Sequence, residues 1–269
     1  METRLIMECV SKVLAGWRNL FLRIEGPELE PYLWHSHYLT GRFSQRCLPH
    51  LGKKLKGKIL DVGAGTGHGA RYLNKKKTKY YPTDLPTVTN RLDKMVSRHE
   101  EKIKIYCSGY ALPLIDNCLE GVMLISVLEH LENPQLALSE AHRVMITGGG
   151  LLIVVPFAFP VHGFPVDYRR WTLEGLKLEV KNAGFKIIDE VSMGNAFASL
   201  ALNLNLLLKY HLHQSDYRLL SLILILITPF TLLSQLMCNL LALLLGPLDR
   251  SKAFPLEIAI LGEKVKKIE

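Results

Sequence analysis

Residues Lys58–Leu73 read Lys-Ile-Leu-Asp-Val-Gly-Ala-Gly-Thr-Gly-His-Gly-Ala-Arg-Tyr-Leu, and this stretch decides the fold. Ile59, Leu60 and Val62 form the short apolar run of a strand buried on both faces. Asp61 stands near its end, Gly63, Gly65 and Gly67 make a turn, and Gly69–Leu73 resumes at helical spacing. Glycine serves where a turn demands positive φ or where backbone must come close to a ligand. A carboxylate at a strand end and bare amides at the following helix start can hold a polar cofactor. A dinucleotide-binding loop spaces its glycines Gly-x-Gly-x-x-Gly. Here the spacing is Asp-x-Gly-x-Gly-x-Gly, with His68 where the third glycine belongs, which disfavours a nicotinamide enzyme.

From Lys58 onward strand-like and helix-like segments alternate, the pattern of an α/β, doubly wound, Rossmann-like sheet. The pattern predicts strands at Lys58–Val62, Lys79–Thr83, Lys102–Cys107, Leu119–Ser126, Gly150–Val155, Phe185–Met193 and Leu256–Leu261. It predicts helices at Gly67–Asn74, Thr87–Arg98, Pro134–Val144 and Thr172–Ala183, and a helical stretch over Tyr32–Leu51. Asp84 follows the second strand about 20 residues past the glycines, where an acidic side chain takes ribose hydroxyls. His35 and His37 are two apart, point in different directions on a helix, and make no metal site; none is expected elsewhere.

Three further segments carry a family resemblance. Ala111-Leu112-Pro113-Leu114-Ile115-Asp116-Asn117 precedes a strand that runs into Ser126-Val127-Leu128-Glu129-His130-Leu131. Glu140-Ala141-His142-Arg143-Val144 then leads into Gly148-Gly149-Gly150-Leu151-Leu152-Ile153. Over residues 58–192 this resembles the small-molecule branch (type 11-like) of the class I S-adenosylmethionine-dependent methyltransferases. The resemblance implies a seven-stranded sheet with S-adenosyl-L-methionine across the carboxyl ends of strands one, two and four. It implies cofactor contacts from Asp61, Gly63, Ala64, Gly65, Gly67 and Asp84, and from Ser108, Gly109 and Ser126. Ser108 is a departure, since the family places there an Asp that takes the adenine amino group. Glu120 likewise replaces the usual Asp at the start of strand four.

After strand five, His162-Gly163-Phe164-Pro165-Val166-Asp167-Tyr168-Arg169-Arg170-Trp171-Thr172 resembles a loop that lies over the reaction pocket in the same branch. Thr172 suits the N-cap of the next helix, with Glu174 in its first turn. Arg170 can grip an anionic substrate group bidentately or pair with Asp167 to order the loop. His162 and His130 are candidate general bases, because imidazole titrates near working pH; hydrogen-bonded structural histidines are the alternative.

Between strands six and seven lie roughly sixty residues, far more than an ordinary connection. Ala196–Leu208 is almost wholly apolar, broken by Asn203 and Asn205, and Leu219–Leu245 carries no charge, with Pro229 about a third of the way along. That length qualifies as a membrane-span candidate. Strands six and seven belong to one sheet, so the insertion must enter and return: a hairpin, a re-entrant helix or helices in the interface. Residues 4–24, with Arg4, Lys12, Arg18 and Arg23 between apolar positions, form an amphipathic helix that covers a core or lies on a membrane.

The 269 residues carry a net charge of +8 and five scattered cysteines, which fit a reducing compartment rather than a disulfide or zinc framework. Residues 1–30 hold no secretory signal, because Glu2, Glu8, Lys12 and Arg18 break any apolar core. The lysine clusters at 53–58, 75–79 and 264–267 map to the edge away from the cofactor and read as a solvated face. Nucleic acid is not an expected partner, since no aromatics interleave them. The expected organisation is a helical cap (1–52), a methyltransferase domain (53–194), an apolar helical insertion (195–252) and a final strand with a basic tail (253–269). The expected function is methyl transfer to a lipid-linked or apolar acceptor at the cytoplasmic face of a membrane. The alternatives are a soluble small-molecule methyltransferase with the insertion as a homodimer interface, and a non-catalytic cofactor-binding membrane scaffold.

Overall fold

The computed structural model describes residues 16, 32–86, 102–163, 165–213 and 218–266, the side chains of 210–213 and 218–228 excepted. The helices expected over residues 4–24 (Gly16 apart) and over Thr87–Arg98 lie outside the described residues. The chain divides into two compact units, Phe43–Met193 with Pro255–Glu269, and Met1–Arg42 with Gly194–Phe254.

The first unit is built on seven strands: β1 (Gly57–Val62), β2 (Thr78–Asp84), β3 (Ile105–Tyr106), β4 (Leu119–Ile125), β5 (Met145–Pro156), β6 (Phe185–Met193) and β7 (Glu257–Lys264). Their order is β3-β2-β1-β4-β5-β7-β6, parallel throughout except for β7, which is antiparallel to both its neighbours. Successive side chains of a strand point to opposite faces. Here Leu60, Val122, Leu151, Ile153 and Ile258 pack into one apolar cluster, and Ile59, Met123, Leu152, Val154 and Ala259 into another. Helices α2 (Pro134–Val144) and α3 (Leu173–Asn182) cover the first cluster through Leu138, Val144, Leu176 and Val180. Leu48 and Leu51, near the end of helix α1 (Tyr38–Gly52), cover the second with Tyr72 and Leu73.

Several expected elements differ in detail: the helix expected over Tyr32–Leu51 begins only at Tyr38, and the last strand runs Glu257–Lys264 rather than Leu256–Leu261. The segment after the glycine loop is a short 3-10 turn, His68–Tyr72, not a helix over Gly67–Asn74. Gly67 at φ 76° starts it, and glycines at 67 and 69 supply no helix propensity. Strand β3 is shorter than Lys102–Cys107, because it is an edge strand with only two register partners on β2. Strand β5 begins at Met145 rather than Gly150: the pairing of Leu119 with Met145 and Gly121 with Gly150 passes through an irregularity that absorbs the extra residues. Lys264 also departs from the solvated-face reading, being buried with its Nζ donating to the Met145 carbonyl at 2.7 Å and Asn117 Oδ1 at 2.8 Å.

The second unit contains helices α4 (Ala196–His213) and α5 (Arg218–Leu245), the latter with Pro229 inside it. Asn195 caps α4 by accepting from the Ala198 N–H at 3.0 Å, and Asp249 accepts from the Ala196 N–H at 2.7 Å. The two helices pair through polar side chains. Asn205 Nδ2 donates to Asn239 Oδ1 at 3.1 Å, and Asn239 Nδ2 donates to the carbonyls of Leu33 at 2.7 Å and His35 at 3.1 Å. Thr231, Gln235 and Asn239 are buried, whereas Phe230, Leu233, Leu240, Leu241 and Leu244 face outward.

Candidate active site

The carboxyl end of β1 runs into the glycine loop, where Gly63, Gly65 and Gly67 have φ of 68°, 57° and 76°. Those left-handed conformations are the reason for glycine at each place. The loop is tied to β2: the Ala64 N–H donates to the Thr83 carbonyl, and the Gly65 N–H donates to Asp84 Oδ2 at 2.8 Å. Asp84 Oδ1 accepts from the Leu85 N–H at 2.7 Å. Each Asp84 oxygen so keeps a lone pair for a further donor. Burial pushes the Asp84 carboxyl up, against the pull of those two amides.

Asp61 lies beneath the loop rather than on it. It is buried, the Tyr80 hydroxyl donates to its Oδ2, and a Cβ on Gly69 would come within 2.3 Å of that oxygen. Gly69 is therefore a close-approach glycine. Burial raises the Asp61 carboxyl to about 7, the Tyr80 hydrogen bond opposes, and the charge of Asp84 adds to the rise.

Ser126 follows β4 at φ 53°, with its N–H donating to the Val154 carbonyl. Gly109 lies against the end of β1, since a Cβ there would meet Val62 Cγ1 at 3.2 Å. Ser108 Oγ accepts from the Tyr110 N–H at 3.2 Å. The parallel register of β1, β2 and β4 places Ala64, Asp84 and Ser126 at one sheet edge. Glu120, at the other end, accepts from the Lys58 N–H and fastens β4 to β1.

A second constellation follows β4. His130 and His162 meet edge to face with ring centroids 4.8 Å apart. Their Nε2 atoms lie 3.8 Å and 3.9 Å from Glu129 Oε1. Glu129 is fully buried, and neither carboxylate oxygen has a hydrogen-bond partner. Burial pushes its carboxyl to about 8, with the charge of Arg170 opposing. Burial also lowers the His162 imidazole, and neighbouring His130 lowers it further, which favours the neutral ring. Arg170 is committed to Asp167 by two hydrogen bonds, from Nη1 at 2.5 Å and Nη2 at 2.8 Å. That pairing, first among the causes, holds the Asp167 carboxyl down at about 2. Of the two roles open to Arg170, the loop-ordering one is the contact present.

Residues 60–153 match the family model of a methyltransferase domain. An uncharacterised protein of Methanocaldococcus jannaschii is 32% identical over 98 residues, 36% of this chain and 44% of its own length. A ubiquinone/menaquinone biosynthesis C-methyltransferase from a Ruegeria species is 28% identical over 117 residues, 41% of this chain and 47% of its own. The chain thus spans about half the length of these relatives. In fold it is similar to a chain in the complex between the Haloferax volcanii Trm112 methyltransferase activator and a putative methyltransferase. That likeness has a TM-score of 0.52 at 14% identity and covers 86% of this chain and 94% of the other.

Residues 60–153 of the sheet unit are a methyltransferase domain.

The cofactor of this class is S-adenosyl-L-methionine, and the residues present fit it. The methyltransferase loop carries three left-handed glycines next to a carboxylate held by two amides but not saturated by them. Asp84 would take the ribose hydroxyls and the loop would admit the amino-acid end close to backbone. Ser108 offers a hydroxyl in place of a carboxylate. Two residues of the methyltransferase site stand out only in three dimensions. Tyr80 locks Asp61, and Glu129 joins the two histidines. The signal for Glu129 is an acid set within the apolar run Val127-Leu128-Glu129-His130-Leu131.

Proposed function

We propose that the protein transfers the methyl group of S-adenosylmethionine to a lipid-linked or apolar acceptor at the cytoplasmic face of a membrane. One observation supports the membrane part: α4 and α5 are partly inside out, burying a polar stripe beside Ala201, Leu202, Leu206 and Ala242. Polar Asn205, Thr231, Gln235 and Asn239 are buried, while Leu200, Leu204, Leu207, Leu233, Leu240 and Leu244 are exposed. In water that arrangement leaves a large apolar surface wet; in lipid it is the arrangement expected of an inserted helix pair. Pro229–Leu248 is long and apolar enough to cross a membrane, and only 28% of it is buried. Met193 and Glu257 are register partners, so the chain leaves and re-enters the sheet at one point, and a single net crossing is excluded.

The sulfonium of the bound cofactor supplies an already activated methyl group. The chain's own tasks are to bind, to align and to keep water out. Asp84 and the glycine loop fix the cofactor's position. The Arg170–Asp167 pair stiffens the loop that carries His162. The Glu129–His130–His162 group is the place where an acceptor hydroxyl or amine would lose its proton.

The test is methyl transfer from radiolabelled S-adenosylmethionine into fractionated membranes, with identification of the labelled species. The protein should sediment with membranes and resist high-salt extraction, since the attraction is apolar. Replacing residues 195–250 by a short glycine-serine link should release a soluble domain that still binds the cofactor but no longer labels lipid. A detergent-free soluble monomer would refute the membrane reading, and a soluble dimer that dissociates on deletion would establish the interface alternative.

A further inference from the structure

We infer that Glu129, His130 and His162 form a binding site for a divalent first-row metal ion of the zinc class. One ligand atom from each lies within 4.8 Å of the other two, and all three residues belong to the sheet unit.

The geometry of the gap supports a cation. The Glu129 Oε1 to imidazole Nε2 distances of 3.8 Å and 3.9 Å are too long for hydrogen bonds. They are close to the ligand-to-ligand edge of a tetrahedral zinc site, about 3.4 Å for bonds of about 2.1 Å. A carboxylate with both oxygens buried and no hydrogen-bond partner is costly, and a cation among the three groups removes that cost.

The imidazoles are also oriented as ligands. His130 Nδ1 lies 2.5 Å from the Val166 carbonyl, which can only accept, so that nitrogen carries the proton and Nε2 is bare. His162 Nδ1 faces the Pro160 carbonyl and Asp167 Oδ2, each at 3.3 Å. Arg170 Nη2 is also 3.3 Å from it, but its two protons have closer acceptors in Asp167 Oδ2 at 2.8 Å and the Pro160 carbonyl at 3.2 Å. His162 therefore donates from Nδ1 and turns a bare Nε2 toward Glu129. A carbonyl or carboxylate behind the far ring nitrogen is the usual support of a metal-bound histidine.

Two imidazoles and one carboxylate suit zinc or iron(II) better than magnesium or calcium, which favour all-oxygen shells. Both histidine side chains are about one-quarter exposed (27% and 26%), so an ion has an entry path and keeps an open position. That position would take water or an oxygen of the methyl acceptor. The acceptor part rests on the methyltransferase reading; the metal site does not.

The test uses the full chain, stripped with a chelator and titrated with Zn2+ against a chromophoric competitor, and with Co2+ by absorption. One equivalent should bind, with a cobalt band of nitrogen and oxygen donors. His162→Ala, on the exposed loop, should weaken Zn2+ by about 100-fold or more, and Glu129→Gln by at least tenfold, with unchanged circular dichroism. His162→Ala alone decides should Glu129→Gln fail to fold. No stoichiometric binding, binding unchanged in His162→Ala, or a thiolate-to-cobalt band would each overturn the site. S-adenosylhomocysteine is titrated in parallel. Its binding without metal binding refutes the metal site alone, and metal binding without it refutes the methyltransferase reading alone.

Discussion

Asn239→Ala and Leu244→Ser should have opposite consequences, although both lie on the same helix. Asn239 is fully buried and makes three hydrogen bonds, two to backbone carbonyls and one with Asn205. At about 1 kcal/mol each their loss costs roughly 3 kcal/mol, before any cavity left by the smaller side chain. Leu244 is 73% exposed, so its replacement should change fold stability by no more than about 0.5 kcal/mol. If that face meets lipid, the same replacement forfeits about 1.5–3 kcal/mol of burial, tenfold or more in partition. Thermal unfolding in detergent reads the first quantity, and flotation with liposomes reads the second. Asn239→Ala should melt early yet float normally when folded; Leu244→Ser should melt normally and float poorly. Equal melting of the two variants would refute the inside-out reading, and so would normal flotation of Leu244→Ser.

Three other outcomes are expected. Asp84→Ala should weaken S-adenosylhomocysteine binding by about 1.5–3 kcal/mol in calorimetry, because it removes a charged acceptor; NAD binding in place of S-adenosylmethionine would refute the cofactor reading. The Glu257 carboxyl is raised from 4.5 to about 7 by burial, with the Ser44 hydroxyl opposing. The folded state thus holds this proton more tightly than the unfolded chain, and stability should fall as pH rises through that window. Glu257→Gln should abolish roughly 3 kcal/mol of that decline, read as a flatter melting-temperature profile against pH. Thr172→Ala removes the N-cap of α3, where the hydroxyl accepts from the Gly175 N–H at 3.1 Å, and should cost about 1 kcal/mol in urea unfolding.

The parts of the fold legible in the sequence are those whose signal is local. The apolar run before Gly63 and the spacing to Asp84 are such signals, because a strand and its following turn are specified within a few residues. The helix expected after Gly67 failed for the converse reason: apolar spacing from Gly69 to Leu73 looks helical, but the backbone there is governed by a contact with Asp61. Glu129 stood out in sequence only as an acid within an apolar run; its role was not legible there, since its chemistry depends on burial and on His162, a partner brought from the loop after β5. Thr231, Gln235 and Asn239 recur every four residues in an apolar run of which only the lack of charge and Pro229 were read in advance. What this stripe faces became clear only from Asn205 and the carbonyls of Leu33 and His35.

The position of β7 has a consequence for how the chain is made. It lies between β5 and β6, yet it is synthesised after both and after the two apolar helices. On the ribosome β5 and β6 must wait with facing edges unpaired, and unpaired edges are sites of misassociation. During that wait α4 and α5 have already emerged, so the apolar helix pair is complete before the sheet closes. Sheet closure therefore waits until the whole insertion has been made, and a nascent chain arrested just before Glu257 is the species most exposed to chaperones and proteases.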